Sequence, residues 1–413
     1  RLSNVVLVIR PLEIGWGKAG ELRDAIGRLR DAGRHTTAYL DLASFSASRE
    51  YYVASAADEI YVVPGGNVPV IGLAAEYFFL GGLWQKLGVG FEVAKAGRYK
   101  SAVESYAGTG MSEASKEMAN SLLDSTHDAF VGAIAQGRGL SPEAVRAAID
   151  AGPMLPKELL AQALIDGVEH LDMLLDRIGG EVVRAETWAR VGPEDVGFDA
   201  KAQFALVYGS GTVVQGHAGR SAGGRRVFAS QTVSEALHDA AEDDSIDAII
   251  LRIDSPGGSA LASEEIWRAL QEAREHDKPI IASFSDVAAS GGYYVAVGAL
   301  TGSIGVFALR PVLGAALEKI GINMESLTRG RYADFLLAGE PLSEGARARL
   351  ESSVLETYGL FLERVAEGRS LSVEAVDEIA QGRVWTGRQA LERGLVDELG
   401  GLHVMLTERH EAR

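Results

Sequence analysis

The chain has no cysteine, which excludes disulfides, a thiolate nucleophile and any metal site built on sulfur. That absence is compatible with an oxidising compartment without requiring one. Proline is sparse, 11 of 413 residues, and 47% of the chain is hydrophobic against 23% charged, which excludes a disordered chain. No apolar run reaches about 18 residues, so no membrane-spanning helix is expected within these residues and no signal peptide at their start. Positive charge is in deficit too. The net charge is −17, and no nucleic-acid partner is expected, because phosphates need clustered Lys and Arg. The length exceeds one ordinary core, so two domains are expected.

What the sequence does contain is an internal repeat. Residues 248–296 lie on residues 6–54 without a gap at a constant offset of 242, which puts Ser290 on Ser48 and Tyr293 and Tyr294 on Tyr51 and Tyr52. Further on, "RGRYADF" matches "AGRYKSA" at offset 233, and "AEGRSLSVEAV" matches "AQGRGLSPEAV" at offset 231. Three blocks in the same order describe two copies of one unit, joined by a polar, glycine-containing stretch around residues 179–203. The division expected is an N-terminal domain over 1–185, a linker over 186–203 and a C-terminal domain over 204–413. Two irregularities follow from the offsets. Residues 204–242 have no partner in the first copy, so a strand, and with it any anchor, is expected to have been lost ahead of residue 1. The offset also falls by nine between Ala299 and Thr301, where the first copy has "AADEIYVVPG". Loss of a core strand is disfavoured there, and a mobile loop beside Ser290, absent from this numbering, is expected instead.

Short β-branched or apolar runs such as "VVLVI", "AIILRI" and "PIIASF" alternate with helical patterns such as "SEEIWRALQEAREH", in which Ile266, Leu270 and Ala273 recur at helical spacing. Ser141, Pro142 and Glu143 read as a helix start, with cap, first-turn proline and acid in order. The class expected is α/β, with both faces of each sheet covered.

Two copies need the same packing residues but not the same chemistry, so their differences are informative. The second copy has "DSPGGS" at 254–259 where the first has "LEIGWG", "ASGGYY" where the first has "ASREYY", and "TGSIG" at 301–305 where the first has "VPVIG". The first alone keeps a lysine, in "GRYK" against "GRYA". A serine between a strand and a helix is ordinarily a cap. Ser290, however, precedes Gly291 and Gly292, which leave room for a substrate carbonyl and free N–H groups where negative charge would develop. "SPGG", an ordinary β-turn when taken alone, could supply further amides from an adjacent strand end.

A serine nucleophile needs a base. None of the eight histidines sits in a glycine-rich loop, none lies between Ser290 and His403, and His217 and His238 read as surface residues. Lysine remains, provided that burial or neighbouring charge lowers its pKa. Lys95 aligns with the polar Thr328, and Lys319 falls on the polar side of a helix pattern. Lys100 aligns with Ala333, so the fold has no need of a lysine there. Lys100 is the candidate base.

These motifs, "DSPGGS", "VAASGGYYVA" and "LTGSIGVF" with "AGRYKSAVE" in the preceding copy, resemble the signal peptide peptidase A family, also called protease IV, in its duplicated bacterial form. The resemblance runs over nearly the whole chain. It implies two tandem ClpP/crotonase-like domains of repeated β-β-α units. Ser290 would be the nucleophile, Lys100 the general base, Ser303 the residue orienting the lysine, and Gly257, Gly258 and Gly291 the oxyanion hole. It also implies hydrolysis of released signal peptides and other short apolar peptides without a cofactor, and a homotetramer at the bacterial cell envelope with its catalytic body outside the cytoplasm. The membrane anchor would belong to a segment absent from this chain. Ser48, followed by Arg49 and Glu50, would be a relic. Two other readings remain open at this point: an acyl-CoA hydratase or isomerase on a crotonase-like fold, which needs a carboxylate instead of a Ser and Lys pair, and an inactive membrane-associated scaffold.

Overall fold

The structure, a computed structural model, describes residues 2–44, 46–192, 195, 197, 202–219, 224, 226–295, 301–329 and 331–402. In the first half, β1 (Asn4–Ile9), β2 (His35–Leu40) and β3 (Glu59–Val62) are followed by β4 (Gly90–Ala96) and the short β5 (Gly167–Val168). Four of them form a parallel sheet in the order β1-β2-β3-β5. In the second half come β6 (Phe204–Ser210), β7 (Thr212–Val214), β8 (Val227–Ala229), β9 (Ala248–Ser255) and β10 (Ile280–Ala288). After them lie β11 (Thr301–Gly302), β12 (Val306–Val312) and β13 (Val384–Trp385). The main sheet here is parallel, in the order β10-β9-β6. The α/β class expected from the alternating pattern is what the chain adopts.

The repeat is visible element by element. Helices Glu113–Arg138 and Glu344–Arg369 each have 26 residues and each start on a serine cap, Ser112 and Ser343. Helices Pro142–Ala151 and Val373–Ile379 start on Ser141 and Ser372, whose hydroxyls accept from the N–H three residues on. Each side chain satisfies one of the donors left open at a helix start.

Equivalent strands differ in burial because their surroundings differ. Ala248 to Ile253 of β9 are all buried, since β9 lies between β6 and β10. β1, which occupies the equivalent place, pairs among the described residues only with β2, and Val8 is exposed. The second sheet in turn has no counterpart of β3 among the described residues: β10 pairs with β9 alone. The loop expected near Ala299 falls on residues 296–300, outside the described residues, as do 193, 194, 196 and 198–201 of the expected linker and the tail from His403.

There are two cores. One is built from residues between Ile9 and Ile165, around Tyr51, Ile60 and Phe130. The other runs from Val207 to Val396 and also takes in Ala94 and Ala96 of β4. β4 has crossed over to the second half. It pairs antiparallel with β12 from Val306 opposite Ala96 to Val312 opposite Gly90. Charge pins this seam. Glu92 is buried and accepts from Arg310 (2.7 Å), Arg347 (2.8 Å) and the Leu342 N–H (3.0 Å). Across the halves, Asp286 accepts from the N–H groups of Gly15 and Lys18, each at 2.9 Å, at the start of helix Trp16–Asp31, and from the Lys18 ammonium at 2.8 Å. Burial alone would raise the Asp286 carboxyl, but these bonds hold it below its usual range.

Candidate active site

β10 ends at Ala288, and the chain turns through Ser290 into the buried helix Gly291–Val295. Ser290 sits at φ 54°, in the left-handed region. That conformation costs a non-glycine residue about 1 kcal/mol or more and persists only where neighbours fix it. They do so here. The Ser290 N–H donates to Gly302 O at 3.0 Å, and its carbonyl accepts from the N–H groups of Tyr293 and Tyr294, each at 2.9 Å. Tyr293, fully buried, anchors the helix through its hydroxyl to Leu395 O at 3.3 Å.

Lys100 reaches this turn from the other half, because β4 has carried its chain across the seam. Only 3% of the residue is exposed. Its Nζ lies 3.0 Å from Ser290 Oγ, 2.8 Å from Ser303 Oγ and 3.0 Å from Ser303 O. No carboxylate among the described residues pairs with it, so burial acts unopposed and pushes the amine down to about 7. A neutral amine in this place can donate to both Ser303 oxygens and accept the Ser290 hydroxyl proton with its lone pair. Ser303, like Ser290, is held at positive φ (50°), and its N–H donates to Arg383 O at 2.6 Å.

The "SPGG" turn lies against Ser290. Gly257 has φ 97°, and a Cβ there would come within 2.7 Å of Ser290 Cβ, Ala289 O and Gly291 N, so only glycine fits. Its own N–H is taken, donating to Ser255 Oγ at 3.1 Å, and its carbonyl accepts from the Val213 N–H. Val213 also receives the Ser259 N–H. The intervening Gly258 N–H and that of Gly291 have no hydrogen-bond partner among the described residues. A Cβ built on Gly291 would lie 3.2 Å from the Gly258 nitrogen, so the two amides border one small space beside Ser290. Of the three glycines expected to form an oxyanion hole, Gly258 and Gly291 have amides to offer. Gly257 is the bend that brings the loop in.

One part of the site gave no signal in the sequence. The turn Gln381-Gly382-Arg383 holds both sides of it. Gln381 O accepts from Tyr99 N (2.6 Å), Gly382 N donates to Ile304 O (2.7 Å), and Arg383 O receives Ser303 N. Gly382 has φ 74°, and a Cβ there would sit 2.6 Å from Lys100 N and 2.7 Å from Lys100 Cβ. Backbone contacts of this kind leave no trace in residue type beyond the glycine itself.

The remaining candidates fall elsewhere. Ser48 Oγ donates to Gly72 O at 3.1 Å, Arg49 donates to Ile14 O, and Glu50 is buried, accepting the Leu12 N–H. Lys95 lies 4.0 Å from Glu104, and Lys319 donates to Lys86 O. His217 and His238 are exposed beside Glu235 and Glu242.

The profile of peptidase family S49 matches residues 28–182 and 272–413, one segment in each half. The chain belongs to peptidase family S49. The curated relatives of this S49 chain include a chloroplastic serine protease SPPA of Arabidopsis thaliana, 36% identical over 97% of this chain and 62% of its own length. They also include a Protease 4 of Haemophilus influenzae, 31% identical over 92% of this chain and 65% of its own, and a Protease 4 of Salmonella typhi, 30% identical over 91% and 63%. The S49 chain therefore spans less than two thirds of the length of these relatives. Among the described residues no helix is long and apolar enough to cross a membrane.

Proposed function

We propose that the protein is a serine peptidase in which Ser290 is the nucleophile and Lys100, from the other half of the chain, the general base. The observation that carries this reading is the 3.0 Å approach of a buried lysine, its amine pushed down to about 7, to the hydroxyl of a serine in a left-handed turn. In this scheme neutral Lys100 takes the Ser290 proton as Oγ attacks a peptide carbonyl. Ser303 holds the amine in line. The N–H groups of Gly258 and Gly291 receive the developing oxyanion. The protonated lysine then gives its proton to the leaving amine, and water activated by the same lysine releases the acyl group. The division of labour follows the domain assignment, 1–185 supplying the lysine and 204–413 the serine.

Family membership supports the peptidase class, and the half-buried apolar Val287 leading into the turn suits short apolar peptides such as released signal peptides, whereas Ala288 is fully buried in the core. An envelope location and a tetramer belong to the same reading. The hydratase alternative is disfavoured, because no carboxylate among the described residues bonds to Ser290, Lys100 or Ser303. The test is hydrolysis of an apolar fluorogenic peptide by the parent, Ser290→Ala and Lys100→Met, with the folding of each checked. Loss of several hundredfold or more in both variants is expected. Near-parental activity of the folded Lys100→Met protein would remove lysine from the mechanism, and an inert, folded parent would favour the scaffold.

A further inference from the structure

In the first half β3 lies between β2 and β5. On one side the Val63 N–H, just past its end, donates to Leu40 O at 3.2 Å. On the other, Ile60 O accepts from the Asp166 N–H and the Ile60 N–H donates to the Asp166 carboxylate, each at 2.8 Å. The second copy is too short to supply such a strand. Five residues, 296–300, join helix Gly291–Val295 to β11, where the first copy has fourteen, 54–67, ten of them outside β3.

Both flanks of that strand are nevertheless in place. At offset 242, Ile280 and Ala282 of β10 are the counterparts of Ala38 and Leu40, which stand opposite Ile60 and Val62. The Ile249 N–H donates to Pro279 O, so by alternation the backbone groups of Ile280 and Ala282 point away from β9. Among the described residues no backbone group outside β9 bonds to them. Ala38 and Leu40 are fully buried, whereas Ile280 and Ala282 are only half-buried. The other flank is 397–400, the counterpart of 166–169 at offset 231. It is fastened as in the first copy. The Tyr293 hydroxyl on Leu395 O repeats Tyr51 on Leu164 O, and Arg369 on Gly394 O repeats Arg138 on Ala163 O. The pair of Arg369 with Asp397 repeats that of Arg138 with Asp166. The difference is exposure: the Asp166 side chain is 33% exposed, that of Asp397 81%. No N–H of residues 397–400 has a partner among the described residues.

We infer that the second half binds an extended apolar segment of another polypeptide as this strand, parallel to β10 and between it and residues 397–400. β3 defines the chemistry of the segment: at least four residues, apolar at the second and fourth. In its register those two side chains fall beside Ile280 and Ala282 and cover them, as the fully buried Ile60 and Val62 cover Ala38 and Leu40. The N–H of the second residue meets the Asp397 carboxylate in a charge-assisted bond. Nothing in the inference depends on peptide hydrolysis.

The probe is a fluorescently labelled peptide of residues 57–65, "ADEIYVVPG", titrated into the full chain carrying Ser290→Ala, so that cleavage plays no part. Expected are saturable one-to-one binding, no binding of a scrambled peptide, and slower hydrogen exchange at the Ile280 and Ala282 amides when the peptide is present. Adding Asp397→Ala, which alters an exposed side chain, should leave the protein folded and weaken binding about tenfold or more. N-methylation of the peptide at Ile60 removes the N–H that meets Asp397. It should weaken binding to a similar extent, and cost little more once Asp397 is alanine. Absence of binding at about 1 mM peptide would overturn the proposal. So would binding that ignores Asp397→Ala, or that leaves exchange at Ile280 and Ala282 unchanged, since the peptide would then lie elsewhere, as in the cleft beside residue 290. A dimer that buries the β10 edge and resists the peptide in sedimentation would overturn it as well.

Discussion

Replacing Lys100 by methionine should stabilise the protein in acid and weaken it in base. Folding lowers the amine from its ordinary 10.5 to about 7, the reverse of a lysine that gains a partner. The unfolded chain therefore binds more protons between those two values, and stability rises with pH across that window. Below about pH 7 the parent carries the whole penalty, about 5 kcal/mol at 1.36 kcal/mol for each pH unit of the gap. Between pH 6 and pH 9 it should recover about 3 kcal/mol of this. Methionine fills similar volume without charge but gives up three hydrogen bonds, to Ser290 Oγ, Ser303 Oγ and Ser303 O, at about 1 kcal/mol each. The variant should thus be more stable than the parent by about 2 kcal/mol at pH 6 and less stable by about 1 kcal/mol at pH 9. Thermal melts of both proteins at the two pH values read this, at about 2–4 °C per kcal/mol for a unit the size of either half. A difference of the same sign and size at both pH values would refute the reasoning, because it would mean that the lysine holds the same charge throughout.

The same pKa sets the activity profile: kcat/KM should fall about tenfold for each pH unit below about 7 and level off above it, and an acidic optimum would contradict the base. Gly382→Ala and Gly394→Ala both place alanine at positive φ, but only the first meets Lys100, while Gly394 has open space around it. Gly394→Ala should lose roughly 1 kcal/mol of stability from its backbone strain alone and Gly382→Ala more, because its Cβ also collides with the Lys100 backbone, whereas kcat should drop about 100-fold or more for Gly382→Ala alone. Removing Glu92 leaves Arg310 unpaired at the seam, so Glu92→Ala should cost about 3–5 kcal/mol in denaturant melts and loosen the approach of Lys100. A cost under 1 kcal/mol would show that the strand pairing alone holds the halves together.

Much of the site was legible because duplication supplied an internal control. Lys100 stood out because its counterpart is Ala333, and Ser290 because two glycines follow it where Arg49 and Glu50 follow Ser48, and Ser141 and Pro142 marked a helix start that the structure contains. Legibility ended where roles pass through the backbone. Gly257 and Gly258 look alike in "SPGG", yet the amide of one is engaged by Ser255 and that of the other is open. Gln381 to Arg383 touch the loops of both Lys100 and Ser303 through carbonyls and an N–H, atoms every residue possesses.

By itself the sequence determined the class of fold and the presence of two copies and singled out the proposed reactive pair, since these depend on residue type, periodicity and the offset between repeats. Only the tertiary structure decided that β4 would leave its own half, place Ala94 and Ala96 in the second core and deliver Lys100 across the seam to within 3.0 Å of Ser290. The lysine's altered proton affinity follows from that placement. A side chain's chemistry is written in the sequence, but the water around it is removed only by the residues that packing brings alongside.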